Sequence, residues 1–489
     1  MSNTLFLDPY LPRFTLYPTL GVGLYLNLGN SAMYRLLCYN PFMQKQFQSM
    51  AFGCRLNEAE KIVMDRKMSD VGFVWSDDDP ECIIINSCCV TGKAEREVRQ
   101  RIYQLRKKHP TAAIIVTGCA ATRWLRDDEK LPQATLLLDN TQKANIVEHI
   151  QHIMQDLDPE ATRIEDAIHT KGTNTELNTS STPSKAINGF DKFTRSGRMM
   201  IKIQDGCHRY CTYCIVPFMR GAPKSKTIDE IISEIKSFGF ALSEATLTAI
   251  NTESFGKDTK ESLITLISRV LNETDVRRLA FGSIHPWSIT PEFLAYYRTL
   301  HTNTTFASFF HVPLQSGSNS VLKRMNRQYI VDTIGESLAS IKAINPHAFI
   351  GTDIIVGFPG ETQEEFEQTY QFLQDSHIDR FHIFRYSGRP GTASELLKKR
   401  HPEPSAQIKE ERSARLIALS EKKFETFLQT QVGRTVPVLI LESKTDEHQD
   451  GLTDNELPIR VTNGNRRPGT IIQVYILKAA PTHLVGEVV

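Results

Sequence analysis

Cys207, Cys211 and Cys214 lie in the run Asp205-Gly206-Cys207-His208-Arg209-Tyr210-Cys211-Thr212-Tyr213-Cys214, a Cys-x3-Cys-x2-Cys triplet on one short segment. Three thiolates are one ligand short of the four that an iron–sulfur cluster ordinarily takes, and a cluster held this way keeps one iron open to a substrate or cofactor. Other chemistries fit the bare triplet less well. A disulfide would leave one cysteine over, and nothing else in the chain points to an oxidising compartment. Zinc also binds thiolates but asks for a fourth Cys or His nearby, and His208 is the candidate within the loop.

A second set of three, Cys54, Cys88 and Cys119, is spread along the chain at intervals of 34 and 31 residues. Each interval is about one strand–helix unit. Residues 82–86, 113–117 and 135–139 are short apolar runs that predict strands, and 58–68, 93–108 and 141–155 carry helical patterns; the alternation predicts a parallel sheet in a three-layer α/β domain over 46–156. Cys88 and Cys119 then fall two residues after strands, and Cys54 precedes the cap-like Asn57, so all three sit at carboxyl ends of strands, where such sheets build their sites. A cysteine is also a common small core residue. Cys82, within a strand, and Cys89 read as such bystanders, and Cys38 is uninformative.

The cysteine loop needs its own scaffold. Residues 199–203 form an apolar strand that feeds it, and further strands are expected at 244–250, 279–284, 306–312, 348–356 and 380–385. Helical patterns separate them at 259–272, 290–300, 330–344 and 362–375. Thr227 with Glu230 and Thr362 with Glu365 have capping-box spacing, and Thr290-Pro291 is a cap followed by proline at the first helical position. About six such units predict an incomplete β/α barrel over 197–430, with the cysteine loop at the carboxyl end of its first strand. A charged helix from about 405 to 431 leads to strands at 435–441, 458–461 and 470–476, a small antiparallel β domain over 431–489. Residues 157–196 are polar and rich in Ser, Thr and Asn, a linker; residues 1–45 are an unassigned extension.

With 489 residues, two or three domains are expected. The 57 basic and 56 acidic side chains nearly cancel, so bulk charge announces no polyanionic partner. Locally, Lys192, Arg195, Arg198, Lys202, Arg209, Arg220, Lys224 and Lys226 face one acid, Asp205, around the cysteine loop. That excess suits a polyanion near the mouth of a site, a solvated rim, or groups for a cofactor carboxylate. In the last domain Arg460, Arg466, Arg467 and Lys478 could contact phosphate. No apolar run is long enough for a membrane span, and no leader segment is recognisable at the N-terminus. A cytoplasmic protein is expected.

The cysteine loop resembles that of radical S-adenosylmethionine enzymes. Beyond it, Phe52-Gly53-Cys54-Arg55-Leu56-Asn57, Asn86-Ser87-Cys88-Cys89-Val90-Thr91, Thr117-Gly118-Cys119-Ala120, Cys214-Ile215-Val216-Pro217-Phe218-Met219-Arg220-Gly221, His311-Val312-Pro313-Leu314-Gln315-Ser316-Gly317, Asp353-Ile354-Ile355-Val356-Gly357-Phe358-Pro359-Gly360-Glu361-Thr362 and Tyr386-Ser387-Gly388-Arg389-Pro390-Gly391-Thr392 resemble the methylthiotransferases. The first and last runs look most like the branch acting on N6-threonylcarbamoyladenosine (t6A) beside the tRNA anticodon. One departure is Thr248-Ala249, where the family usually has Thr-Gly.

The resemblance implies an α/β protein of three parts, the last a TRAM-type RNA-binding β-barrel. It implies S-adenosylmethionine and two [4Fe-4S] clusters, one on Cys207, Cys211 and Cys214 and an auxiliary one on Cys54, Cys88 and Cys119. It also implies a monomer methylthiolating C2 of the adenine in a tRNA anticodon stem-loop, with an external electron donor and a sulfur donor. The rival substrates are isopentenyladenosine tRNA and a ribosomal-protein aspartate; the rival class is an RNA-binding protein with structural clusters. Ser283, Gln315 and Ser316 at strand ends are expected polar contacts to the cofactor, Gly357, Pro359 and Gly360 are expected to let backbone approach its adenosine, and Arg220 to pair with a carboxylate of cofactor or substrate.

Overall fold

The computed structural model describes residues 45–157, 196–239, 242–300, 305–445, 447–462 and 464–489; the extension and the linker read from sequence lie outside these apart from their edge residues. Runs of β-branched residues make the first sheet. Its strands β1 (Gln46–Ala51), β2 (Val74–Trp75), β3 (Cys82–Ser87), β4 (Ala113–Gly118) and β5 (Leu136–Leu137) are parallel, in the order β2-β1-β3-β4-β5. Every residue of β3 and β4 is buried, as a sheet covered on both faces requires. On one face Ile84 and Ile115 pack against Met64 and Met68 of helix α1 (Arg55–Asp70). On the other, Ile83 and Ile85 pack against Val98 and Ile102 of α2 (Gly92–Lys108). These are the three layers expected.

The second assembly holds six parallel strands in chain order: β6 (Arg198–Asp205), then, after the short antiparallel β7 (Lys224–Ser225), β8 (Glu244–Ala249), β9 (Leu279–Phe281), β10 (Phe309–His311), β11 (Phe349–Val356) and β12 (Arg380–Arg385). A single bridge, Leu279 with Phe306, joins β9 to the segment entering β10. Among the described residues β6 and β12 do not pair, so the barrel stays open. Both expected capping boxes form, at Thr227 and Thr362. Strands β9 and β10 are shorter than their apolar runs suggest, because the chain leaves the ladder at Gly282 and Val312 and turns into a cavity. Helix α1 belongs to both assemblies: Ile62 on it is part of the barrel core with Met199 and Ile201.

The last strands, β13 (Thr435–Lys444), β14 (His448–Leu452), β15 (Pro458–Thr462), β16 (Ile471–Ala479) and β17 (Leu484–Val488), close into a barrel in the order β13-β14-β15-β17-β16. Strand β14 escapes a search for apolar runs because it buries alternate residues of a polar sequence, and β17 because it is short and broken by Gly486 and Glu487. The core of this barrel is shared with Phe349 of β11 and with Phe424 and Phe427 of the helix Ala406–Gln429.

Candidate active site

Strands β1, β3 and β4 are neighbours with their ends in register, Ala51 beside Asn86, Asn86 beside Thr117 and Ser87 beside Gly118. Cys54, Cys88 and Cys119 follow those ends. Close approach is built into the backbone. Gly53 has φ +88°, and a Cβ there would fall 2.5 Å from Cys88 Sγ; Gly118 has φ +96°, with Ser87 O 2.4 Å from where a Cβ would be. Only glycine tolerates both the conformation and the contact. The other triplet hangs from β6, its loop braced by Cys214 N–H donating to Cys211 O (2.9 Å) and Thr212 N–H donating to Met325 O (3.0 Å).

All six sulfurs accept a hydrogen bond. Cys207 accepts from Arg209 N–H (3.4 Å) and Cys88 from Val90 N–H (3.5 Å). Arg327 Nη1 donates to Cys211 (3.6 Å) and Asn140 Nδ2 to Cys119 (3.7 Å). Backbone groups of Val216 and Asn57 serve Cys214 and Cys54. Donors aimed at sulfur favour the thiolate and are the protein's means of supporting iron–sulfur ligation. Burial pushes the Cys88 and Cys214 thiols up to about 12, so metal binding there must displace protons. Among the described residues, only His311, Asp353 and His382 gather three donor atoms within 4.8 Å of one another. His208 is no fourth ligand to a zinc: it is exposed and stacks on Tyr210.

The segment that follows Cys214 packs against Cys119. Ile215, next to Cys214, and Met219 share an apolar cluster with Cys119 and Ala120, and Asn140 Nδ2 bridges Cys119 Sγ to Met219 O (3.0 Å). In front of Cys54 and Cys88 opens a cavity of about 600 Å³, walled by the carboxyl ends of β8 to β12 through Thr248, Ala249, Ser283, His311, Asp353 and His382. Its Pro313 wall connects to the second triplet, since Arg327 donates both to Pro313 O (2.6 Å) and to Cys211 Sγ. Ala249, the family's usual glycine, is part of that wall.

Several expectations are corrected. Arg220 is buried and already saturated by the protein, with Nη1 2.9 Å from Glu60 and 3.0 Å from Asp205 and Nη2 donating to Asn57 Oδ1 (2.8 Å); it does not reach an external carboxylate. At Gly357 a Cβ would lie 2.4 Å from Lys409 and at Gly360 2.9 Å from His401. Buried Pro359 sits between them, so the protein's own side chains pack against this loop. Ser316 is fully buried and bonds Thr369 Oγ1 (3.2 Å). Gln315 is not on the cavity wall; it holds φ +81° between Asp353 O and Ile355 N–H. Ser283 does line the cavity, its hydroxyl 2.8 Å from His311 Nδ1. The basic excess around the cysteine loop dissolves on folding: Arg198 pairs with Glu244 (2.7 Å), Lys202 with Glu60 (3.0 Å), Arg209 with Glu253 (2.8 Å) and Lys226 with Glu234. Lys192 and Arg195 lie outside the described residues.

Sequence reading missed the centre of this network. Glu60, one helical turn beyond Asn57 on α1, is buried and takes Arg220, Lys143 (2.6 Å) and Lys202. Burial works to raise its pKa, but the three cations hold it well below the usual carboxylate range. The available signal was a charged residue at i+3 spacing from Asn57 on the helix that follows Cys54. His311, Asp353 and His382 were missed because each lies on a different strand.

The comparisons with known proteins match this geometry. The Radical SAM superfamily matches residues 201–373, and the uncharacterized protein family UPF0004 matches 46–138. The threonylcarbamoyladenosine tRNA methylthiotransferase MtaB of Aquifex aeolicus is 30% identical, over 89% of this chain and 100% of its own length. The chain belongs to the radical S-adenosylmethionine methylthiotransferases. The same MtaB activity is named for a Bacillus subtilis relative, 29% identical over 89% of this chain and 95% of its own. The tRNA-2-methylthio-N(6)-dimethylallyladenosine synthase of Protochlamydia amoebophila is 31% identical over 91% of this chain and 96% of its own. The protein is thus a tRNA-modifying methylthiotransferase, with S-adenosylmethionine and [4Fe-4S] clusters as the family's cofactors. No helix among the described residues is long and apolar enough to cross a membrane.

Proposed function

We propose that this methylthiotransferase modifies C2 of N6-threonylcarbamoyladenosine beside the tRNA anticodon, giving ms2t6A, with Cys207, Cys211 and Cys214 holding one [4Fe-4S] cluster and Cys54, Cys88 and Cys119 a second. The cavity shared by strand ends of both assemblies carries the reading. Bound clusters supply the one-electron reductive cleavage of S-adenosylmethionine and an open iron for the sulfur to be transferred. The chain's own residues do the rest. Asn57, Glu60, Arg220 and Asp205 lock α1 to the cysteine loop of β6, so the two triplets keep a fixed relation and the chemistry between them is intramolecular. Arg327 places a fixed positive charge at Cys211, which favours the reduced state of a cluster held there. An unstacked loop base is the form of adenosine that can enter the cavity.

Relatives of near-equal identity act on two different modified adenosines, so overall similarity does not choose between them. On a wall that is otherwise largely apolar, Arg55, Ser283, His311, Asp353 and His382 offer polar partners that an amino-acid substituent can use and a hydrocarbon one cannot. Mass spectrometry of tRNA nucleosides from a gene deletion tests the reading. Loss of ms2t6A is expected; loss of the dimethylallyl counterpart, or an unchanged tRNA profile with altered ribosomal-protein mass, would overturn it.

A further inference from the structure

We propose that Arg55 binds the carboxylate of the substituent on the target adenosine and thereby sets which modified adenosine the cavity accepts; this rests on the threonylcarbamoyl reading above. Arg55 immediately follows Cys54 at the start of α1 and lies on the cavity wall. Its stem is held against Gly282, where a Cβ would come within 3.2 Å of its Cδ, and its guanidinium sits 5.4 Å from the centre of the Phe309 ring. One N–H is used, Nη1 donating to Gly282 O (3.1 Å). No carboxylate among the described residues pairs with it at salt-bridge distance; the acid that feels its charge is Glu456, on which Arg55 acts more strongly than Arg198 or Arg278 without bonding it.

That sets Arg55 apart from the other cations near the cysteines. Arg220, Lys143, Lys202 and Arg209 each have a protein carboxylate as partner. Arg327, like Arg55, has no carboxylate partner among the described residues, but its donors are taken up by Cys211 Sγ, Pro313 O and Tyr329 OH. The anion in the cavity is also provided for: Asp353 has His311 Nε2 at 3.1 Å and His382 Nδ1 at 3.6 Å, and Ser283 fixes the other nitrogen of His311. What remains unmatched is one guanidinium with a planar fork of donors, the geometry that takes a carboxylate in two parallel hydrogen bonds. A threonylcarbamoyl group brings one carboxylate. A dimethylallyl group brings none, and would leave the guanidinium desolvated without compensation.

The test uses anaerobically reconstituted full-length protein and synthetic anticodon stem-loops carrying t6A or its uncharged threoninamide analogue. The readout is the ratio of kcat/KM for the two substrates, measured within one preparation so that differences in cluster loading cancel. Arg55→Gln is expected to lower the ratio roughly 10- to 100-fold, the worth of a charge-assisted hydrogen bond, with Arg55→Lys recovering part of it. Should Arg55→Gln be inactive, the ratio of Kd values for the same two oligonucleotides is expected to shift alike. An unchanged ratio in a wild type that modifies t6A would overturn this inference alone. A wild type that ignores both oligonucleotides but modifies a dimethylallyladenosine stem-loop would overturn the substrate reading and the inference with it.

Discussion

A buried charge is tolerable only with its partner, and Glu60 is the partner of three. Replacing it with Ala leaves buried Lys143 without a carboxylate and Arg220 with Asp205 alone, so Glu60→Ala should destabilise the fold by about 3–5 kcal/mol, readable in chemical denaturation of the metal-free protein. The cysteines predict a different kind of loss. Two clusters bind about eight irons per chain. Cys88→Ala should lower this to about four while 5′-deoxyadenosine formation persists without methylthiolated product. Cys207→Ala should abolish 5′-deoxyadenosine altogether. At this scale the six cysteines were legible from type and spacing. The network behind them was not: Glu60 and Arg220 are 160 residues apart, and each looks like an ordinary surface charge until folding buries it.

Between elements, the ties are again charged and buried. The Tyr-Ser-Gly-Arg-Pro-Gly-Thr motif after β12 has a structural use: Arg389 reaches across to Glu95 of α2, which also accepts from Trp124 Nε1 (2.7 Å) and from Arg123. Against its burial, these donors hold Glu95 at about 2. Burial likewise opposes, and Arg278 and Arg198 likewise lower, the pKa of Glu244, while Arg278 also donates to Thr453 O of the C-terminal barrel (2.7 Å). A folded pKa below the unfolded value of about 4.3 means stability that is present above that value and lost as pH falls toward 2. Thermal unfolding followed by circular dichroism should therefore show Tm dropping between about pH 4.5 and 2 more steeply in wild type than in Glu95→Gln. Arg389→Ala should cost about 1–3 kcal/mol at neutral pH. The motif was visible in sequence, but its partner was not, since nothing in the chain between residues 95 and 389 marks them as neighbours.

The whole molecule joins the cavity of the two α/β assemblies to a small closed β-barrel. Arg460, Arg466, Arg467 and Lys478 are all exposed on it, unlike the cations around the cysteine loop. Changing the four to Gln should weaken tRNA binding and flatten its salt dependence by about one unit of log–log slope for each phosphate no longer neutralised, measured by fluorescence anisotropy at several salt concentrations. RNA-independent cleavage of S-adenosylmethionine should be unaffected. Equal loss of both activities would place the RNA-binding face elsewhere.

Sequence by itself determined the layered α/β plan, the six-strand barrel and the two cysteine triplets, because apolar periodicity and metal-ligand spacing are local properties of a chain. Only the tertiary structure decided which charges remain for a ligand. Electrostatic pairing acts through space: Arg220 and most of the basic cluster found partners on distant elements, Gly357 and Gly360 were covered by the protein's own side chains, and Arg55, visible in sequence only as part of a motif, was left on the cavity wall without an ion-pair partner.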